Sequence, residues 1–332
     1  MRLPAMKVVI PAFLLAVLLC LAPVAGRAQG TETPAAAEPE ASADTLELPA
    51  GGLVLIPDER IAVEAEEVVL SRSLVRVTYA VRSRSEAPLA RIVSWPLPEI
   101  DANAIGDDVV VLPAGSPRDY SGVVVTVDGA AVPLSFEQRA VAFSRDLTVL
   151  LEAAGLPLNP LATGVEEALR SVPADRLAEL EERGAIRRDD ERLVPAWAVR
   201  TTAFWRQTFE PGRLLTIGLA YGPVTASGLW RPESLATLRE TYCIDKGLEG
   251  AIAARIAKSP RGLVAHRLTY TMANSPGWSA PIPSFRLAIE KSGFETLIAS
   301  CWEGLRVVGP TLVENVRRDF HPGDDIRVLF FQ

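Results

Sequence analysis

The chain has 332 residues, 48 % of them hydrophobic and 23 % charged, with a formal charge of −7. That length and apolar content suffice to bury a substantial core in one large or two modest domains. The acidic balance gives it no electrostatic reason to seek nucleic acid or anionic lipid, so neither is expected as a partner.

The first segment reads as an export signal. Arg2 and Lys7 precede an apolar run from Val8 to Val24, broken only by Pro11, Cys20 and Pro23, and Ala25-Gly26-Arg27-Ala28 follows. A basic start, an apolar middle and a small-residue exit define a secretory signal peptide over 1–28, with cleavage expected after Ala28. The apolar run is at the lower limit for a membrane span and carries a proline. Cys20 follows Val17-Leu18-Leu19, with no small residue before it, which argues against lipid attachment. Removing Arg2, Lys7 and Arg27 with the signal takes the formal charge from −7 to −10. No later segment is long and apolar enough to span, so the mature chain is expected without a membrane span and exported, periplasmic or extracellular.

Residues 29–47 are rich in Ala, Glu, Pro and Thr and read as a disordered leader. From Leu48 the pattern is mostly period two. Val75, Val77, Tyr79 and Val81 alternate with Arg76, Thr78, Ala80 and Arg82, the mark of a strand with one buried face. Ile61, Val63 and Ala65 begin a similar run, and 92–97 is a further strand. Asp128-Gly129, between strands at 122–127 and 131–136, accepts the positive φ angles of a tight hairpin.

The period then changes. Leu147, Leu150, Leu151 and Ala154 lie at helical spacing, with Gly155 as a cap. Thr163-Gly164-Val165-Glu166 has the form of a capping box, and a third helix at 174–183 stops at Gly184. Residues 145–186 therefore read as a helical insertion, and the charged run 187–191 as its solvated exit. Strands resume at 196–209, turn at Pro211-Gly212, and continue through Leu215, Ile217, Leu219 and Tyr221. Leu248, Ile252 and Ile256 give one more helix. Strands follow at Leu268, Tyr270 and Met272 and at 285–291, 294–300, 312–320 and 326–331. The fold class is mainly β (α+β): an antiparallel β-sandwich with a helical insertion and a smaller C-terminal β-rich part. The expected division is a sandwich domain at 48–240 and a C-terminal β-rich subdomain with one helix at 241–332. Strand and helix do not alternate regularly enough for a parallel sheet.

Several stretches carry a family resemblance. They are Leu48-Pro-Ala-Gly-Gly-Leu-Val54, Trp95-Pro-Leu-Pro-Glu-Ile-Asp101, Phe136-Glu-Gln-Arg-Ala140 and Gly155-Leu-Pro-Leu-Asn-Pro160. Phe204-Trp-Arg-Gln-Thr-Phe-Glu-Pro-Gly212, Tyr242-Cys-Ile-Asp245 and Gly309-Pro-Thr311 complete the set. In order and spacing they resemble a bacterial exported family known as domain of unknown function 4424, over nearly all of 48–332. The resemblance implies export and one family-wide unit, and it transfers no catalytic residue.

Once Cys20 leaves with the signal, Cys243 and Cys301 remain, and an even pair in an oxidising compartment reads as a disulfide. Without C-x-x-C spacing the pair suits neither redox catalysis nor zinc. The chain has no G-x-S-x-G, H-E-x-x-H, phosphate loop or G-x-G-x-x-G. His266 and His321 are the two histidines; His266 reads as a core-edge residue and His321 as part of a turn. Asp101 to Leu112 mimics a calcium loop, but Ile105 and Leu112 stand where oxygen ligands are needed, so it reads as an acidic loop.

Glycoside hydrolysis needs only two carboxylates across a cleft, and Glu99, Asp101 and Glu137 are the first candidates. Trp197 and Trp205 fall in a strand and read as core. Trp230 and Trp278 fall in loops, where an exposed indole can stack on a sugar or anchor a partner. Neither cofactor nor metal is expected. The leading expectation is a non-catalytic exported binding or structural protein of the cell envelope, with an unidentified envelope ligand or protein as partner. The alternative is an envelope hydrolase using paired carboxylates.

Overall fold

The alternation at Val75–Ser83 lies near the middle of the largest sheet, where Val75, Val77, Tyr79 and Val81 are buried and Thr78 is exposed. The structure, a computed structural model, describes residues 50–332 except 52, 56–57, 106–108, 191, 230–234, 260–262, 273–280 and 324. The expected signal peptide and leader lie outside the described residues. The described residues belong to one compact unit, Ala43–Gln332.

Among the described residues the largest sheet has eight strands, in the order Arg306–Val307, Leu312–Phe320, Ile282–Glu290, Ile61–Ser71, Val75–Ser83, Leu214–Tyr221, Val124–Val127 and Ala130–Ala131. Its last hairpin is the expected one: Asp128 and Gly129 take φ of 49° and 82° between paired Val127 and Ala130. Two six-stranded sheets accompany it. One is built around Ser135–Ala142, Ala198–Phe209 and Leu89–Pro96. The other is built around Ile326–Phe331, Val264–Thr271 and Thr225–Leu229. One apolar cluster draws on all three sheets, including Val77 and Ile217, Trp95 and Trp205, and Leu268 and Phe330. The eight-stranded sheet therefore shares one core with both others, as layered sheets must to bury their apolar faces.

Pairing crosses residue 240 freely. Ile282–Glu290 lies parallel to Ile61–Ser71, and Ala50–Gly51 parallel to Val264–Thr271. These two parallel pairs depart from a wholly antiparallel reading. Both join segments far apart in the sequence, so no βαβ period announces them. Val328 and Phe330 reach the shared core, while Leu329 and Phe331 reach a second cluster with Leu238, Tyr242 and Ile252. From Val328 onward that strand is buried on both faces, which is why Val328-Leu329-Phe330-Phe331 is a continuous apolar run.

In Ile61–Ser71 the pairing shifts between Val63 and Ala65, which face Val81 and Ala80 and leave Glu64 without an opposite residue. This β-bulge reverses the facing of every later residue. Ala65 leaves the core face, and Glu66, Val68 and Leu70 take it.

Among the described residues the helices are Thr148–Ala153, Val165–Arg170, Ala174–Glu182, Leu235–Tyr242 and Lys246–Ile256. The first three close a separate cluster around Leu151, Leu169, Leu180 and Trp197. The capping box expected at Thr163 does not form. Gly164 is the N-cap at φ 86°, without a side-chain hydrogen bond. The charged run after Gly184 is a short hairpin, Ile186–Asp189 with Arg192–Pro195, and its charges face solvent. Leu235–Tyr242 is a helix that the sequence pattern did not announce.

Candidate functional site

Tyr242 and Leu238 anchor the helix Leu235–Tyr242 in the second cluster, and the chain then turns at Cys243, which takes φ 52°. Asp245 starts the next helix by accepting a hydrogen bond from Leu248 N at 2.7 Å. Cys243 is bonded to Cys301 across 58 residues of sequence, tying this helix junction to the segment after Leu297–Ala299.

Cys301 forms one wall of a cleft of about 460 Å³, lined also by Glu240, Trp302, Glu303, Arg317, Asp325 and Arg327. The Trp302–Arg317 pair is held from several directions. The indole contacts the rings of Phe285 and Phe320, each centred 5.8 Å away, and the Arg317 guanidinium lies 4.1 Å above it. Asn315 Oδ1 accepts from both Trp302 Nε1 (3.2 Å) and Arg317 Nε (3.1 Å). Arg317 Nη2 donates to Glu303 O at 3.2 Å. A guanidinium stacked on an indole and tethered by hydrogen bonds is a pre-oriented recognition group. With three carboxylates and a second guanidinium on the same cleft, the wall can meet a ligand bearing both charge signs.

A second cleft, of about 360 Å³, lies where the Ala198–Phe209 strand meets Ile100–Asp101 and the hairpin at 143–144. Glu99 and Asp101 meet here, with Asn103, Phe143, Ser144 and Arg200. Glu99 is ion-paired with Arg200. Asp101 Oδ1 accepts from Asn103 N at 2.9 Å, and Asn103 Nδ2 donates to Ala196 O at 2.7 Å. Glu137 does not line this cleft and pairs with Arg139 at 2.8 Å.

Among the described residues, the carboxyl pushed upward is elsewhere. Glu66 is enclosed in the core, and burial raises it from 4.5 to about 7, opposed by hydrogen bonding to Tyr270 and Tyr79. Its Oε1 accepts from Tyr270 Oη at 3.4 Å, while Oε2 has no hydrogen-bond partner within 3.5 Å among the described residues. Burial holds both phenols well above their usual range, so they remain donors. The network reaches the N-terminal segment. Leu53 N donates to Tyr79 Oη at 3.1 Å, and Gly51 O accepts from Trp95 Nε1 (2.8 Å) and Tyr221 Oη (3.0 Å).

Trp230 and Trp278 lie outside the described residues, as does part of the 101–112 loop. Trp197 and Trp205 are core. His266 is half-buried, and that burial, with the Arg72 charge, lowers its imidazole. Among the described residues no group of three or more His, Cys, Asp or Glu could hold a metal ion, and no helix is long and apolar enough to cross a membrane. Trp302 and Arg317 were not singled out from sequence. The adjacency of Trp302 to a cysteine of the pair was the available signal.

The family described as Domain of unknown function (DUF4424) matches residues 41–329. The chain belongs to this family. No curated protein matches the chain. Among solved structures, a candidate nutrient-binding protein from Legionella pneumophila aligns at 12 % identity and a TM-score of 0.46. That alignment covers 86 % of this chain and 71 % of the other. An M1 zinc metallopeptidase from Deinococcus radiodurans aligns at 9 % identity and a TM-score of 0.24, over 82 % of this chain and 43 % of its own.

Proposed function

We propose that this DUF4424 member is a non-catalytic exported protein of the cell envelope that binds a small polar ligand or a partner segment. The cleft walled by Cys301 carries the reading. A covalent bridge fixes its edge, and Trp302, Arg317 and Asn315 hold its recognition group in one orientation. Pre-organisation of this kind lowers the cost of ordering on binding. The bridge also suits an oxidising compartment, in keeping with the signal-like N-terminus. Free amino acids and short peptides, which carry both charge signs, are the probes that fit. The full chain should change its tryptophan emission on titration with at least one of them, and Arg317→Ala should abolish the change. No response across the panel removes the binding function. Export is tested separately: material from the envelope fraction should begin after Ala28, and intact chain confined to the cytosol refutes it.

The alternative, an envelope hydrolase, has one observation in its favour: Glu99 and Asp101 line the same cleft. Asp101→Asn should then abolish glycan hydrolysis by the full chain without loss of thermal stability.

A further inference from the structure

The hairpin at the mouth of the second cleft is built against the usual residue preferences. Ala142 pairs with Arg145, so Phe143 and Ser144 are the two central residues of a two-residue turn. Both have positive φ, 48° and 61°. Such turns normally take Asn-Gly or Asp-Gly, because a bulky side chain is disfavoured in the left-handed region. Here the strained position carries a phenylalanine whose surface is 81 % exposed. It lies against Gly184, itself at φ 71°, so closely that a Cβ there would come within 2.3 Å of the ring. Non-glycine residues held in the left-handed region concentrate at active sites and ligand clamps.

The rest of the cleft completes a pattern. Ala142, Ala196 and Ala198 line it with small side chains that leave room for a flat ring. Arg200 presents a planar donor fork, and Glu99, Asp101 and Asn103 present planar acceptor and amide groups. Glu99 and Arg200 pair with each other, and Asp101 leaves the lining with a formal excess of one negative charge, which disfavours an anionic ligand. An aromatic face beside planar polar groups matches a pyranose, which has an apolar C–H face and an equatorial belt of hydroxyls. We propose that this cleft is a saccharide-binding site, with Phe143 as the stacking platform and Arg200, Glu99 and Asp101 as the hydroxyl-binding groups. The site is separate from the disulfide-walled cleft and does not depend on it.

The test uses the full chain with chitotriose and cellotriose, followed by calorimetry and saturation-transfer NMR. At least one trisaccharide should bind, with saturation transferred to the sugar C–H face. Phe143→Asn suits the left-handed turn, so this variant should melt no lower than the parent while its affinity falls about tenfold or more. Arg200→Ala should also weaken binding, and Arg206→Ala, at an exposed arginine of the same strand that lines neither cleft, should leave it unchanged. Absence of binding to both sugars at about 10 mM, a level that would reveal millimolar affinity, overturns the proposal. So does a Phe143→Asn variant that binds as tightly as the parent.

Discussion

Replacing Glu66 by glutamine should stabilise this protein at neutral and alkaline pH, and the pH dependence carries the proof. Burial raises the Glu66 carboxyl from 4.5 to about 7 in the folded state. Between those values the native chain keeps its proton while the unfolded chain has released it, so stability must fall as pH rises. The loss begins near pH 4.5 and is complete a little above pH 7. At about 1.4 kcal/mol per unit, the shift corresponds to a penalty on the order of 3 kcal/mol. Glutamine keeps an acceptor for Tyr270 Oη and carries no titrating proton, so Glu66→Gln should lack this dependence. Urea unfolding of parent and variant at pH 4.5 and pH 8 measures the difference. The advantage of the variant should grow by about 3 kcal/mol between the two conditions. A constant difference would show that Glu66 is not buried as an acid, and the bulge at Val63–Ala65 would lose its main consequence.

Other expected outcomes follow from single contacts. Loss of the bridge in Cys243→Ser/Cys301→Ser should cost about 4 kcal/mol in the chain-entropy account of a loop of 58 residues, read as a lower unfolding midpoint. The same double variant should weaken whatever ligand occupies the adjoining cleft. Asp245→Ala removes the side-chain cap at Leu248 N and should cost about 1 kcal/mol in thermal unfolding. Asp58 binds both Arg60 and Arg91, and these guanidiniums hold its carboxyl well below the usual range. A depressed acid stabilises the fold above its unfolded value and loses that effect as pH falls. Asp58→Asn should therefore destabilise at pH 7 by about 1 kcal/mol, the scale of a partly exposed pair, and the difference should shrink as pH falls below about 4. An undiminished difference at low pH would contradict the charge-based account.

Much of the fold was legible because its cause is local. Alternation at Val75–Val81, the Asp128-Gly129 turn and the helical spacing from Leu147 each reflect backbone geometry that neighbouring residues impose on one another. The inward face of Glu66 was not legible, because a bulge is defined by the opposing strand and not by the residues that form it. The capping box at Thr163 had the right letters, yet the helix begins at Val165, after a glycine in the left-handed region.

The secondary-structure periods, the β-rich class and the family follow from side-chain alternation, turn chemistry and motif order, all of which can be read along the chain. Which strands lie side by side, including the two parallel pairs between distant segments, emerges from three-dimensional packing alone. Only it brought Trp302 under Arg317, and Phe143 beside Glu99 and Arg200. Such meetings depend on sheet register across tens to hundreds of residues. Register is fixed by burying one shared core, a property of the whole chain that no local pattern encodes.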